Sequence, residues 1–106
     1  MHARVARYAV APENIDAAID GFRKSGEGLS ELEGLIGGYM FVDEDTGQTL
    51  TITLWENHSA MAQSATRAAS LRQAALRDAS GDVVSVEEYQ VAVEFGGHTR
   101  DLREDE

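Results

Sequence analysis

Hydrophobic and polar residues alternate over the first ten positions of the chain, MHARVARYAV. A period of two places neighbouring side chains on opposite faces of a β-strand. We therefore predict a first strand around Val5, Tyr8 and Val10. It ends at Pro12, because proline cannot donate a ladder hydrogen bond but suits the first turn of a helix. The acidic residue that follows, Glu13, favours a helix N-terminus.

The apolar positions after Pro12 recur at the spacing of an α-helix. The first stripe is Ile15, Ala18, Ile19 and Phe22, and it resumes at Leu29 and Leu32. Gly26 and Gly28 interrupt it, and each costs about 1 kcal/mol relative to alanine inside a helix. We predict one long helix with a weak middle, with two shorter helices as the alternative.

The sequence LIGGYMFVD predicts a second strand that is apolar on both faces. Strict alternation assigns Ile36, Met40 and Val42 to one face, and Leu35, Tyr39 and Phe41 to the other. The next residues, DEDTGQ, predict a hairpin turn in which Gly47 supplies a positive φ.

The third strand, TLTITLW, alternates more simply. Its aliphatic face holds Leu50, Ile52 and Leu54. Its opposite face holds Thr49, Thr51, Thr53 and Trp55.

Residues from Asn57 to about Arg77 are alanine-rich and predict a second helical region. Asn57 or Ser59 can cap its N-terminus. The predicted buried stripe is Met61, Ala65, Ala68, Leu71 and Ala75. The closing sequence VVSVEEYQVAVEF predicts a fourth strand, longer than the usual five or six residues. One of its faces near the end carries Tyr89, Val91, Val93 and Phe95.

This order of elements, β-α-β-β-α-β, predicts an α+β fold of the ferredoxin-like type with an antiparallel sheet. We place one domain at residues 1–95 and a charged tail, expected to be mobile, at residues 96–106. Helices can cover only one face of such a sheet, yet the second and fourth strands offer apolar residues on the other face as well. Because soluble monomers avoid large apolar patches, we expect two copies to pack sheet to sheet as a homodimer.

Composition narrows the classes of function. The formal net charge of −10 disfavours nucleic-acid binding, since phosphate backbones repel a polyanion. No apolar run approaches the length of a membrane span and no signal peptide is visible, so we expect no membrane partner and a cytoplasmic location. Cysteine is absent, and the three histidines are too scattered to predict a metal site.

Four segments together resemble a known family over about residues 3–95. They are APENIDAAIDGF after the first strand, GGYMFVDEDTGQ, TITLWENHSAM at a strand-to-helix corner, and VVSVEEYQVAV at the end. In these segments the chain resembles the antibiotic-biosynthesis-monooxygenase-like (ABM) branch of the dimeric α/β-barrel superfamily. The resemblance implies a homodimer whose two sheets form a barrel, with a pocket in each protomer between sheet and helices.

The resemblance also suggests several activities. Some members resemble cofactor-independent oxygenases acting on polycyclic phenols, and others degrade haem. The haem-degrading members carry an asparagine on the first strand, and a tryptophan and a histidine in the second helical region. Counted from Pro12 and Trp55, this chain has Arg7, Ser64 and Gln73 at about those positions. These departures disfavour haem degradation, and we expect no cofactor.

Four side chains are candidates for a pocket. Arg7 could bind a phenolate or carboxylate, or pair with an acid at the rim. Tyr39 could donate to an oxyanion, or pack as an aromatic. Trp55 could stack on a ligand, or close the core at the strand end. His58 could act as a base, or be an exposed residue of the first helical turn.

Two hypotheses follow. The first is a cofactor-independent monooxygenase on an aromatic or polyketide-like substrate, whose own anion supplies electrons to oxygen. The second is a non-catalytic dimer that binds a small aromatic molecule, or an accessory protein, because no acid–base constellation is visible in the sequence.

Overall fold

The computed structural model describes residues 1–96. The strands are β1 (His2–Ala9), β2 (Leu35–Val42), β3 (Gln48–Trp55) and β4 (Asp82–Gln90). The helices are α1 (Ile15–Leu29), α2 (His58–Gln63) and α3 (Ala65–Arg77), and Pro12–Asn14 forms a short 3₁₀ turn before α1. Residues 97–106 lie outside the described part of the chain, so the mobility of the tail stays a prediction.

The strands form a four-stranded antiparallel sheet in the order β2-β3-β1-β4. The first and third strands are central, and the helices pack on one side. This arrangement confirms the predicted α+β, ferredoxin-like fold. We call the side against the helices the inner face and the opposite side the open face. Within residues 1–96, no helix is long and apolar enough to span a membrane.

The core lies between the inner face and the helices. It contains residues from β1, α1 and the end of α3: Ala6, Tyr8, Val10, Ile15, Ala18, Leu76 and Ala79. The Tyr8 ring packs against Phe22 with 4.9 Å between ring centroids. The two long helices pack closely at Gly21. A Cβ atom at this position would clash with the Ala75 carbonyl, so glycine permits the close approach. The predicted periodicity of the first helix is therefore confirmed as far as Leu29.

The helix ends before the last residue of the predicted stripe. The Ser30 amide closes the final turn on the Gly26 carbonyl at 3.0 Å. Leu32 follows in the turn, and Gly34 has a φ of 85° that only glycine adopts readily. One helix containing Gly26 and Gly28 forms rather than two, because its apolar face packs on α3.

The predicted assignment of β2 residues to the two sheet faces is wrong at the start of the strand, at Leu35. The pairing with β3 shifts between Leu35 and Gly37, which is the signature of a β-bulge. Leu35 pairs with Trp55 on the inner face, whereas Tyr39 and Phe41 lie on the open face. The bulge inserts one residue, so alternation counted along the sequence changes face there.

The second helical region is two helices rather than one. Asn57 caps α2 as predicted, because its Oδ1 accepts from the Ala60 amide at 2.8 Å. The helix breaks at Ser64, whose amide bonds to the carbonyls of both Ala60 and Met61. The predicted stripe is consequently wrong at Ala65, which is exposed, while Met61 and Ala68 are buried.

The fourth strand is shorter than predicted. It pairs only with β1, and Gln90 lies opposite His2, the first residue of that strand. Just beyond this point the Val91 amide still donates to the Met1 carbonyl at 2.9 Å. The chain therefore leaves the sheet, and Val93 and Phe95 are exposed outside any strand.

The open face of the sheet is apolar, and no other element within residues 1–96 covers it. Leu50, Ile52 and Leu54 are half-buried along its middle, as their predicted alternation requires. Tyr39 and Phe41 flank them with 66% and 49% of their surfaces exposed, and their rings stack at 6.0 Å. The structure thus places an apolar surface where the sequence predicts one.

Candidate functional site

A small cavity lies between the inner face of the sheet and the helices. Its volume is about 30 Å³, room for about one water molecule. Apolar side chains from both long helices meet cations and hydroxyl groups there. The lining residues are Arg4, Phe22, Ser25, Leu29, Thr51, Thr53, Ala68, Leu71 and Arg72. The cavity has the composition of a ligand site, but a ligand larger than water must displace side chains from its walls.

Arg4 is buried in the wall of this cavity and is only 3% exposed. Its Nη2 donates to the Met61 carbonyl at 2.7 Å, and its Nη1 donates to Ser64 Oγ at 3.1 Å. Its Nε and Nη2 also donate to Glu88 at 3.3 and 3.1 Å. The guanidinium therefore holds together β1, β4 and the break between α2 and α3.

The Trp55 ring packs against the Arg4 guanidinium. The ring is completely buried, and the Arg4 guanidinium carbon lies 5.6 Å from the ring centroid. Such a cation–π contact stabilises the charge of a buried guanidinium. The indole Nε1 donates to Thr53 Oγ1 at 3.0 Å. Trp55 thus closes the core at the end of its strand and contacts the cavity through Arg4 and Thr53.

Arg72 enters the cavity from α3 and is half-buried. Burial lowers the pKa of its guanidinium, and the nearby charge of Arg4 lowers it further, while Tyr8 and Glu88 act in the opposite direction. Among residues 1–96, no acceptor is hydrogen-bonded or ion-paired to Arg72. A cation is therefore available at the cavity, with its charge partly removed from water.

Tyr8 contributes a polar group to the same region. Its hydroxyl is hydrogen-bonded to Thr51 Oγ1 at 2.8 Å. Burial raises the pKa of the Tyr8 phenol above its ordinary value, although the Thr51 hydrogen bond opposes this. Tyr8 is therefore a neutral phenol near physiological pH, able to donate or accept a hydrogen bond.

His58 lies at the start of α2 and is exposed. Its ring meets the His2 ring edge to face, with 5.5 Å between the centroids. Neither histidine lines the cavity. The predicted position of His58 in the first helical turn is confirmed, and a role as a base stays a prediction.

Arg7 and Tyr39 lie on the open face, on the other side of the sheet from Trp55. Arg7 is half-exposed and forms an ion pair with Glu87 at 3.3 Å. Glu87 also accepts from the Tyr89 hydroxyl at 2.8 Å. Hydrogen bonds from these two partners lower the pKa of Glu87, that from Tyr89 having the larger effect. The four candidate residues are therefore not brought together in one cavity.

Arg7 also lines a groove on this side, at the end of the sheet that carries the β2–β3 turn. The groove has a volume of about 420 Å³, and its walls include Phe41, Leu50 and Val84. That volume falls in the range of small-molecule sites. The groove is open in one chain, and a second copy on the open face would change its walls.

Sequence reasoning missed Arg4 and Arg72 as site residues. Arg4 is in phase with Ala6 and Tyr8, so strict alternation does assign it to the inner face. Arg72 directly follows the predicted buried residue Leu71, at the edge of the helical stripe. Both signals are present in the sequence, but the partners that hold Arg4 lie 57 to 84 residues away.

A family model describes residues 1–76 of the chain, and that model is antibiotic biosynthesis monooxygenase. The chain belongs to this family, which confirms the resemblance seen in its sequence. A search of curated proteins found no match.

Solved structures share the fold at low identity. The chain is similar to SnoaB, a cofactor-independent oxygenase from Streptomyces nogalater, with a TM-score of 0.71, 16% identity, and coverage of 90% of this chain and 96% of that one. It is also similar to a candidate antibiotic biosynthesis monooxygenase from Deinococcus radiodurans, with a TM-score of 0.70, 15% identity, and coverage of 91% and 97%. Rv0793 from Mycobacterium tuberculosis has a TM-score of 0.66 at 13% identity, with coverage of 90% and 98%. At such identities these matches establish the fold alone.

Proposed function

We propose that the chain is a cofactor-independent monooxygenase acting on an aromatic or polyketide-like substrate, and that the cavity between sheet and helices is its site. The observation that carries the proposal is the pairing of apolar walls with a buried arginine, a half-buried arginine and hydroxyl groups at that cavity. Family membership and the similarity to the oxygenase SnoaB support it.

The chemistry requires little from the protein beyond orientation and charge. A hydroxylated anthrone loses a proton to give a delocalised anion, which reacts with molecular oxygen. One oxygen atom enters the ring as the quinone carbonyl and the other leaves as water, so the substrate supplies all the electrons. Cations fixed in a site that excludes water stabilise such an anion. We assign this role to Arg72 and to Thr51, which line the cavity; the Thr51 hydroxyl is hydrogen-bonded to Tyr8.

A substrate must open the cavity. Leu29 lies at the end of α1, next to the weak Gly26 and Gly28 positions, and Leu71 faces it from α3. Gly26 has no neighbour within 4 Å of the place where a Cβ would stand. We propose that the last turn of α1 moves to admit the ring.

We further propose that the protein works as a homodimer with the open faces in contact. A four-stranded sheet with strands of eight or nine residues covers roughly 19 by 26 Å, and its exposed aromatic residues need a partner surface. In this assembly Arg7 and Tyr39 belong to the interface, and Arg7 also lines the groove beside it.

Turnover tests the proposed function. Purified protein is mixed with a hydroxylated anthrone in air-saturated buffer containing a chelator, and quinone absorbance is followed together with oxygen uptake. We expect quinone and consumed oxygen in equal amounts, at a rate well above that of buffer. A rate equal to that of buffer, for several hydroxylated anthrones, would contradict the proposal.

One observation favours a second candidate function, a non-catalytic binding protein. The cavity lining includes threonine, serine and arginine side chains, but no histidine or carboxylate that could take the substrate proton near neutral pH. Saturable binding of an aromatic anion without any oxygen uptake would favour this second function. We expect a cytoplasmic location for either function.

A further inference from the structure

The two arginines at the cavity differ in how much of their hydrogen-bonding capacity is free. A guanidinium has five N–H donors. Arg4 uses four of them on Met61, Ser64 and Glu88. Its plane is also fixed over Trp55. Arg4 can contribute charge to a ligand, but it cannot turn toward one without breaking contacts that join three elements.

Arg72 has the opposite character. It is half-buried at the same cavity and, within residues 1–96, has no hydrogen-bonded acceptor. The charged or polar groups that influence it are Tyr8, Arg4 and Glu88. Glu88 is already committed to Arg4 through two hydrogen bonds. A partly desolvated cation without a fixed partner is costly, and an anionic ligand would relieve that cost.

The strongly acidic character of the chain strengthens the case that this cation binds an anion. Acidic residues outnumber basic ones by 19 to 9, giving a net charge of −10. An anion approaching this surface is repelled unless a local cation offsets the field. Two of the nine basic residues line one small cavity. Glu88 offsets the charge of Arg4 there, so the charge of Arg72 remains against the trend of the chain.

From this geometry we infer that Arg72 is the residue that selects for ligands bearing a planar, singly charged oxyanion on an apolar ring system, with Arg4 as the fixed cation behind it. The inference rests on the cavity assigned under the proposed function, but it concerns binding and does not depend on oxygen chemistry. A guanidinium suits such anions because its N–H groups match the two oxygens of a carboxylate, or one phenolate oxygen, in a single plane.

A matched pair of ligands tests the inference. The anion 2-naphthoate and the neutral 2-naphthamide have nearly the same shape, so their affinities differ mainly through charge. We expect the wild-type dissociation constant for 2-naphthoate, measured by calorimetry at pH 7, to be about ten- to a hundredfold below that for 2-naphthamide. Arg72→Gln should remove this preference while leaving the affinity for 2-naphthamide within about twofold.

Two further variants separate charge from geometry and from position. Arg72→Lys keeps the charge without the planar fork and should restore part of the preference. Arg67→Gln removes an exposed arginine from the same helix and should leave the preference unchanged. Circular dichroism tests that each variant is folded, which we expect because the Arg72 side chain makes no hydrogen bond or ion pair within residues 1–96.

Three results would overturn the inference: equal binding of both ligands by the wild type, an unchanged preference in Arg72→Gln, or no binding of 2-naphthoate at millimolar concentration. Loss of the preference in Arg7→Gln instead would move the anion site to the groove on the open face. If 2-naphthoate binds selectively through Arg72 but anthrones are not oxidised, the inference stands and the monooxygenase proposal fails.

Discussion

Replacing Arg4 by methionine tests the most connected side chain of the inner face. Methionine keeps an apolar stem against Trp55 but removes the four hydrogen bonds to Met61, Ser64 and Glu88. A hydrogen bond to a charged group contributes about 1.5–3 kcal/mol when its partners are buried. The bonds to Glu88 contribute much less, because the Glu88 side chain is 43% exposed and water can replace Arg4.

The remaining contribution comes from the buried bonds to Met61 and Ser64. The Met61 carbonyl keeps one partner, since Ser64 Oγ also donates to it at 2.7 Å. Removing a buried guanidinium also relieves its desolvation, which offsets part of the loss. We therefore expect Arg4→Met to lower the free energy of unfolding by about 1–3 kcal/mol.

Urea unfolding at pH 7 measures this change, with the protein concentration held constant because a dimer would make stability concentration-dependent. Arg67→Met is the control, since the exposed Arg67 side chain makes no hydrogen bond within the described residues. It should change stability by less than about 0.5 kcal/mol. The reasoning would be refuted if Arg4→Met unfolded at the same urea concentration as Arg67→Met, or at a higher one.

Three further predictions concern stability. Protonated Tyr8 stabilises the fold below about pH 10, and this contribution is lost as the pH rises through the raised folded-state pKa of Tyr8. The urea midpoint of Tyr8→Phe should therefore fall less steeply above about pH 10 than that of the wild type. Parallel pH profiles of the two proteins would contradict this. Gly47→Ala should cost about 2 kcal/mol or more, because Gly47 has a φ of 78° and its added Cβ would strike the Val10 carbonyl; thermal unfolding measures it, and an unchanged Tm would contradict it. Asn57→Ala should cost about 1 kcal/mol by removing the cap on the Ala60 amide, and Asn57→Asp, which keeps a capping oxygen, should retain most of the stability in the same assay.

Local chemistry explains why much of the fold is predictable from the sequence. Strand alternation assigns Leu50, Ile52 and Leu54 to the correct face, and the turn at Gly47 and the cap at Asn57 depend on nearby backbone atoms. Each of these signals is contained within a few residues. They determine the element types, and the element order then predicts the sheet topology.

The errors arise where tertiary contacts decide the outcome. The bulge after Leu35 depends on pairing with β3, and the end of β4 at Gln90 depends on where β1 begins. Arg4 is in phase with buried residues, but a buried cation is acceptable only with partners such as Ser64 and Glu88, which are distant in sequence. The candidate site is therefore less predictable from the sequence than the fold, since its arginines acquire their partners only after folding.

In the proposed assembly the sheet has two different partners, its own helices on the inner face and a second copy on the open face. Sedimentation velocity at micromolar concentration tests this most directly, with Ile52→Asp as a variant that places a charge in the middle of the open face. We predict a wild-type species of twice the 11.5 kDa chain mass and a shift of the variant toward one chain mass. A wild-type protein that sediments as a single 11.5 kDa particle would contradict the account.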